Sequence, residues 1–168
     1  MPTLHVIAGK AGSGKTTLAR QLAAQLPAVV LCEDEWMSRL ADPIANLRQY
    51  LDASARIRSV MAPLTVDVLG LGLSVVFDFA GNRPADRLWT RSIAERAGAA
   101  LVVHYIQADD VTCRARVVQR NVQQPEGIFF GVVTPEQVNE VNRYFVPPGD
   151  DEGLTVILHA ARSAADQA

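Results

Sequence analysis

The sequence predicts an α/β protein in which a parallel five-stranded sheet lies between two layers of helices. Short apolar segments alternate with segments of helical periodicity along the chain. The middle segments are apolar almost throughout, as in strands buried on both faces. A glycine-rich loop joins the first strand to the first helix. With 168 residues, the chain is expected to form a single domain, residues 1–168.

Five apolar segments are predicted to be strands. Each is short, and a helical segment separates it from the next, which requires a crossover and therefore favours parallel pairing. The predicted strands are Leu4–Ala8, Ala28–Cys32, Ser74–Phe79, Leu101–Ile106 and Leu154–Leu158.

Helical periodicity and end signals place helices between these strands. Leu18, Leu22 and Leu26 recur at a spacing of four, and Pro27 ends that segment. Proline at the first turn and glycine after the last turn mark other helix ends. The predicted helices are Lys15–Leu26, about 43–69 with a kink or break at Pro63, Pro84–Ala97 closed by Gly98, Val111–Asn121, and Pro135–Tyr144 capped by Thr134.

Residues Gly9 to Thr16 read Gly-Lys-Ala-Gly-Ser-Gly-Lys-Thr, a complete P-loop of the form G-x4-G-K-[ST]. Glycines let successive backbone N–H groups surround a phosphate, and the helix that follows directs its positive dipole end at the same anion. Lys15 is predicted to bridge the β- and γ-phosphates as a catalytic residue, and the Thr16 hydroxyl to hold Mg²⁺. ATP is the expected nucleotide because the guanine-reading Asn-Lys-x-Asp motif is absent. The predicted nucleotide contacts in this segment are Gly9, Ala11, Gly12, Ser13, Gly14, Lys15, Thr16 and Thr17.

Carboxylates follow two of the predicted strands. Asp78 ends the third strand and is expected to reach Mg²⁺ together with Thr16, directly or through water. Glu33, Asp34 and Glu35 follow the second strand, at the sheet edge where ligands of such folds bind. We expect Asp34 to accept the proton of an attacking hydroxyl, with Glu35 left open as the alternative.

Arginines supply candidates for the positive charge that phosphoryl transfer requires. Arg116 and Arg120 lie four residues apart, on one helix face, and precede a segment with Pro125, Gly127 and Gly131. Residues 114–133 are therefore predicted to form a lid, with Arg116 and Arg120 on the nucleotide and Arg120 also catalytic. A second stripe contains Arg83, Arg87 and Arg91; Arg87 and Arg91 are interpreted as a solvated helix face, while Arg83 is left undecided.

Composition narrows the range of partners. A net charge of −2 provides no strong basic field, so nucleic acid is an improbable partner that the sequence does not exclude. No secretory leader or membrane-spanning apolar stretch is visible, and Cys32 and Cys113 are expected to be reduced, which together predict a cytoplasmic protein without a membrane partner. The three histidines, at positions 5, 104 and 159, are interpreted as structural. The oligomeric state is left open.

The motifs together resemble a known family. The P-loop, Asp34 after the second strand, Val75-Val76-Phe77-Asp78, Arg116-x-x-x-Arg120-Asn121 and the closing segment from Tyr144 to Gly153 are similar to small P-loop kinase-like ATP-binding proteins, many grouped with AAA-type ATPases. Zeta toxins, chloramphenicol phosphotransferases and the kinase half of polynucleotide kinase are similar to the same group. The resemblance implies strand order 2-3-1-4-5, Asp34 as base, and Arg116 and Arg120 on the nucleotide or its phosphates.

Three functions are compatible with these features. The preferred hypothesis is an ATP-dependent kinase that moves the γ-phosphate to a hydroxyl of a small-molecule acceptor. The alternatives are a zeta-toxin-like or nucleic-acid-end kinase, and an ATP-binding switch or ATPase that transfers phosphate only to water. Residues 36–72 are expected to form the acceptor side, and they do not identify the acceptor.

Overall fold

A computed structural model describes residues 1–40, 44, 46–124 and 132–160, and the architecture below refers to these. Five parallel strands form one sheet in the order β2-β3-β1-β4-β5, which confirms both the predicted fold class and the implied strand order. The strands are β1 (Thr3–Ala8), β2 (Ala28–Leu31), β3 (Ser74–Ala80), β4 (Ala100–Gln107) and β5 (Thr155–Ala160).

Six α-helices connect the strands within the described part of the chain, with a short 3₁₀ turn at Asp150–Glu152. The helices are α1 (Lys15–Gln25), α2 (Glu33–Leu40), α3 (Leu47–Gly70), α4 (Pro84–Arg96), α5 (Asp110–Gln123) and α6 (Pro135–Arg143). Every predicted helix is present, and the ends differ by a few residues.

The second connection departs from the prediction. The long predicted helix begins at Leu47 and runs through Pro63 without a break, and position 43 lies outside the described residues. The segment directly after β2, where the sequence predicts no helix, is the first turn of a separate helix, α2. Glu33, Asp34 and Glu35 occupy that turn, where carboxylates interact favourably with the positive end of the helix dipole.

Apolar residues cover both faces of the sheet, as the continuous apolar segments require. On one face, α3 and α4 bury a large cluster that includes Phe77, Met61 and Ile93. On the other face, α1 packs through Ala19 against Ile7 and Val76. The central strand β1 is therefore enclosed on both faces and paired on both edges, which fixes where the loop after it begins.

Three histidines form a row across adjacent strands on the α1 face. His5 of β1 and His104 of β4 are joined by a 3.0 Å hydrogen bond between ring nitrogens, and a second bond of 2.9 Å joins His104 to His159 of β5. Burial lowers the pKa of His104 to about 4, with the neighbouring imidazoles contributing. The row is a structural element of the sheet, in keeping with its interpretation from sequence.

No helix in the described part of the chain is both long and apolar enough to cross a membrane.

Candidate active site

The P-loop connects β1 to α1 through two glycines with positive φ angles. Gly12 has φ of 81° and Gly14, the N-cap of α1, has φ of 103°. A Cβ atom on Gly12 would lie 2.3 Å from the backbone oxygen of Cys113, so α5 packs directly on the loop. The loop thus turns sharply enough for the free N–H groups of the first turn of α1 to face an anion.

Lys15 lies folded back over the P-loop. Its Nζ donates hydrogen bonds to the carbonyl oxygens of Gly9 (2.9 Å) and Lys10 (3.1 Å). Burial lowers the pKa of Lys15, and the charges of Asp78 and Asp34 act in the opposite direction. The ammonium group is therefore surrounded by the loop and by both predicted carboxylates.

Asp78 is buried at the end of β3 with only part of its hydrogen-bonding capacity used. Its Oδ2 accepts a hydrogen bond from the Cys32 thiol at 3.4 Å, and burial raises the pKa of its carboxyl group. Hydrogen bonding from Thr16 and the charge of Lys15 counter that shift. Thr16 and Asp78 thus lie together, and the metal ion that they are expected to share stays a prediction.

Buried polar atoms without a partner mark the same location. Among the described residues these atoms are Ser13 Oγ, Asp78 Oδ1 and Arg120 Nε. Leaving a buried donor or acceptor unsatisfied costs about 1–3 kcal/mol, so such atoms indicate groups that are bound during function. A hydroxyl, a carboxylate oxygen and a guanidinium N–H around one loop fit a triphosphate with Mg²⁺.

The three consecutive carboxylates of α2 have three different environments. Glu33 is buried and accepts hydrogen bonds from Ser54 Oγ (2.5 Å) and Arg58 Nε (2.9 Å). Glu35 is half-exposed and forms an ion pair of 3.1 Å with Arg39, one turn later. Asp34 points to the P-loop side, within electrostatic range of Lys15, Asp78 and Arg120.

The carboxyl group of Asp34 has a raised pKa. Burial raises the pKa of its carboxyl group from 3.8 to about 6, and the negative charge of Asp78 adds to the shift. The charges of Arg120 and Lys15 oppose it. A carboxylate with a raised pKa, next to a phosphate-binding loop, is the arrangement expected of a general base.

Two arginines of α5 approach the loop, as their spacing predicts. Arg116 Nη1 donates a 2.9 Å hydrogen bond to the carbonyl oxygen of Ser13. Arg120, one turn later, interacts with Asp34 and Lys15. In the predicted lid, residues 125–131 lie outside the described residues, so lid closure stays a prediction.

Gly9, Ala11 and Thr17, three of the predicted nucleotide contacts, do not present a free group to the phosphate side of the loop. The N–H of Gly9 is bound by the Asn82 side chain, and the N–H of Ala11 by the Asn142 side chain. Thr17 is exposed on α1. In the rest of the loop, the Ser13 N–H donates to the Lys10 carbonyl oxygen at 3.0 Å, which leaves Gly12 and the first turn of α1 to bind an anion.

The arginine stripe of α4 was interpreted incorrectly at one position. Arg87 is fully buried, where a solvated face was predicted. Its guanidinium donates to the carbonyl oxygens of Gly81 (2.8 Å) and Val146 (2.9 Å) and pairs with the Glu152 carboxylate at 2.5 Å. Arg91 is half-buried and donates to the Glu152 backbone oxygen. Arg83, which was left undecided, forms an ion pair of 2.8 Å with Asp86.

Sequence reasoning missed Asn82 and Asn142 as residues of the site. Asn82 lies in the turn directly after β3, so its place beside Asp78 was a usable signal. Asn142 lies 131 positions from its loop partner, and no local pattern identifies such a contact.

The comparisons with known proteins give the family and the fold of the chain. The family model described as an AAA domain matches residues 4–148. A candidate kinase of Chloroflexus aurantiacus aligns with a TM-score of 0.75 at 18% identity, over 99% of this chain and 91% of that one. Kti12 of Chaetomium thermophilum, solved with ADP-AlF3, gives 0.67 at 17% identity, over 94% and 88%. A sugar kinase of a Janibacter species gives 0.65 at 14% identity, over 99% and 90%.

No curated protein matches the sequence. The structural similarities all lie below 25% identity and establish the fold, which is that of small P-loop kinase-like proteins, as the motifs had suggested. Since the family model covers most of the chain, the protein belongs to the AAA domain family.

Proposed function

We propose that the protein is an ATP-dependent phosphotransferase that moves the γ-phosphate to a hydroxyl group of a small-molecule acceptor. The observation that carries the proposal is the half-buried Asp34 carboxylate, whose raised pKa of about 6 and position beside Lys15 and Asp78 suit a base acting at the γ-phosphate. The same base would also serve an ATPase that activates water, and the acceptor assay below separates the two.

On the nucleotide side, the P-loop amides and Lys15 hold the phosphates. When nucleotide binds, the Lys15 ammonium group exchanges its hydrogen bonds to the two loop carbonyl oxygens for hydrogen bonds to phosphate oxygens. Thr16 and Asp78 would hold Mg²⁺, which would supply positive charge to the transferring group. Arg116, bonded to the Ser13 carbonyl oxygen, and Arg120 add further positive charge beside the loop.

On the acceptor side, Asp34 accepts the proton of the attacking hydroxyl. Its neighbours have fixed positions: Glu33 is held by Arg58, whose guanidinium also pairs with Asp86 at 2.9 Å and lies over the rings of Phe79 and Trp89. This network makes the first turn of α2 rigid, so that the Asp34 carboxylate is preorganised relative to the phosphate.

The relatives support the proposal by analogy. Kti12 was captured with ADP-AlF3, and the Janibacter protein is described as a sugar kinase. The same fold carries unrelated functions, so this support is weaker than that of the site itself.

The test is acceptor-dependent release of ADP from Mg²⁺-ATP, measured over a panel of sugars, nucleosides, hydroxylated antibiotics and a 5′-hydroxyl oligonucleotide, with Lys15→Ala as the inactive control. At least one small molecule is expected to accelerate ADP release and to gain one phosphate by mass spectrometry. Turnover with the oligonucleotide alone would show that the acceptor is a nucleic-acid end and not a small molecule. ADP release that no acceptor accelerates would contradict the kinase proposal and favour an ATPase.

A further inference from the structure

Two side-chain amides hold the backbone of the P-loop. The Asn82 Oδ1 atom accepts a hydrogen bond of 3.0 Å from the Gly9 N–H, and the Asn142 Oδ1 atom accepts one of 2.9 Å from the Ala11 N–H. These asparagines come from different elements, the turn after β3 and the last turn of α6. The first half of the loop is therefore fixed by tertiary contacts before any phosphate arrives.

The Asn82 contact belongs to a rigid part of the molecule. The Asn82 backbone oxygen accepts a hydrogen bond of 2.9 Å from the Val146 N–H. The buried Arg87 guanidinium donates to the carbonyl oxygens of Gly81 and Val146. A Cβ atom on Gly81 would lie 2.5 Å from the Ile7 oxygen, so this turn is pressed against the end of β1. Asn82 has no freedom to move independently of the sheet.

The Asn142 contact belongs to a helix that is tied to α5. The Asn121 amide forms two hydrogen bonds with the backbone of Val133, of 2.7 and 3.1 Å, just before α6 begins. Thr134 caps α6 in a capping box. Because Arg116 of α5 contacts Ser13, the loop and both helices form a closed ring of contacts: loop to α5, α5 to α6, and α6 back to the loop.

A ring of this kind couples its parts. A phosphate that orders the loop around Gly12 also fixes the Ala11 amide plane, and hence the partner of that amide on α6. By linkage, docking of α6 must strengthen phosphate binding by the same factor.

We propose that Asn142 is a positioning residue that couples the docking of α6 to nucleotide binding by the P-loop. It binds the Ala11 N–H to α6, so that the loop presents Gly12 and the amides of the first turn of α1 to the phosphates. The inference rests on the proposed nucleotide binding, and it adds a residue and an element, α6, that lie outside the P-loop motif.

The experiment compares Asn142→Leu, which keeps the side-chain size and removes the accepting oxygen, with the control Asn139→Leu. Asn139 is exposed on the same helix, one turn earlier. Affinity for Mg²⁺-ATP is measured by titration calorimetry, and amide hydrogen exchange is followed over residues 135–143 with and without nucleotide. Thermal unfolding confirms that each variant folds.

Asn142→Leu is expected to bind Mg²⁺-ATP about tenfold more weakly, a loss within the range of about 5- to 150-fold that is typical of coupling between two sites. It should also lose the nucleotide-induced exchange protection of α6 that the wild type and Asn139→Leu show. Asn142→Asp, which retains the accepting oxygen, should retain that protection even if its negative charge changes the affinity.

The outcomes separate this inference from the proposed function. If the wild type binds nucleotide and Asn142→Leu binds equally well with full protection of α6, the coupling is disproved and the kinase proposal stands. If the wild type binds no nucleotide, both fail. Equal weakening by Asn139→Leu would also overturn the inference, because the effect would then come from the helix surface.

Discussion

Replacing Asp34 by asparagine should stabilise the nucleotide-free protein while abolishing phosphoryl transfer. Asp34 lies in a half-buried site where burial and the charge of Asp78 disfavour its ionised form. The amide has nearly the same shape and carries no charge. The change therefore removes an unfavourable burial together with the basicity that the reaction needs.

The magnitude follows from the pKa. A rise from 3.8 to about 6 corresponds to at most about 3 kcal/mol of destabilisation at neutral pH, less where solvent screens the group. Because the folded-state pKa is raised, the native protein holds more protons than the unfolded chain between these pH values. The cost is therefore present above about pH 6, and it disappears as the pH falls towards 3.8.

The assay is urea unfolding of the wild type and Asp34→Asn, with EDTA, at several pH values. The difference in the free energy of unfolding should favour the variant at pH 7 and shrink towards zero near pH 4. Glu35→Gln is the matched control, since Glu35 is half-exposed and its ion pair with Arg39 lies at the surface. This change should shift stability by less than about 0.5 kcal/mol. Glu33→Gln should instead destabilise the protein, because it removes the negative charge that pairs with Arg58.

Phosphoryl transfer by Asp34→Asn should fall about 10²- to 10⁴-fold with nucleotide affinity largely kept, whereas Glu35→Gln should remain active. Two results would refute the reasoning: an Asp34→Asn protein that is less stable than the wild type at pH 7, or one that turns over an established acceptor at the wild-type rate. If Glu35→Gln is the inactive variant, the base lies one residue further along.

Three further outcomes concern the scaffold. Arg87→Met should lower the free energy of unfolding by about 3–5 kcal/mol, because it leaves the Glu152 carboxylate without its partner. The control Arg96→Met, on the exposed side of α4, should have little effect. Equal melting temperatures of the two variants would contradict a buried role for Arg87. Burial depresses the pKa of His104 from 6.5 to about 4, so the contribution of His104 to stability is complete above pH 6.5 and is lost as the pH falls towards 4. In the same unfolding assay, the stability of His104→Asn should therefore fall less steeply with decreasing pH than that of the wild type. An unchanged dependence of stability on pH would refute this prediction. Gly12→Ala should lower stability by over about 1 kcal/mol more than Gly98→Ala in thermal unfolding. Both positions have positive φ angles, but of the two only Gly12 faces a close backbone atom. Equal losses of stability would show that the φ angle alone determines the cost of adding a Cβ atom.

The sequence by itself determined the alternation of strands and helices and the position of the P-loop. Continuous apolar segments predicted strands buried on both faces, and the structure places β1 and β3 in the centre of the sheet. Gly12 and Gly14 predicted a loop around an anion, and both adopt positive φ angles there. These features depend on neighbouring residues, so a single chain segment encodes them.

Only the tertiary structure decided how the three carboxylates of α2 differ. Read from sequence, Asp34 and Glu35 both remained candidates for the base, because a helix had not been predicted at that point. Successive residues of a helix point about 100° apart, so three neighbours face three surroundings. Packing of α2 against α3 directs Glu33 to Arg58, and Asp34 is left facing Lys15.

The tertiary structure also decided which polar residues serve the loop from a distance. Arg87 belongs to a stripe whose spacing is typical of a solvated helix face, and it is buried because the segment after α6 crosses that face and brings Glu152 to it. Asn142 reaches Ala11 across 131 positions of sequence. Periodicity and turn signals record local geometry, whereas contacts of this separation depend on how the elements pack, and that packing is fixed only when the whole chain has folded.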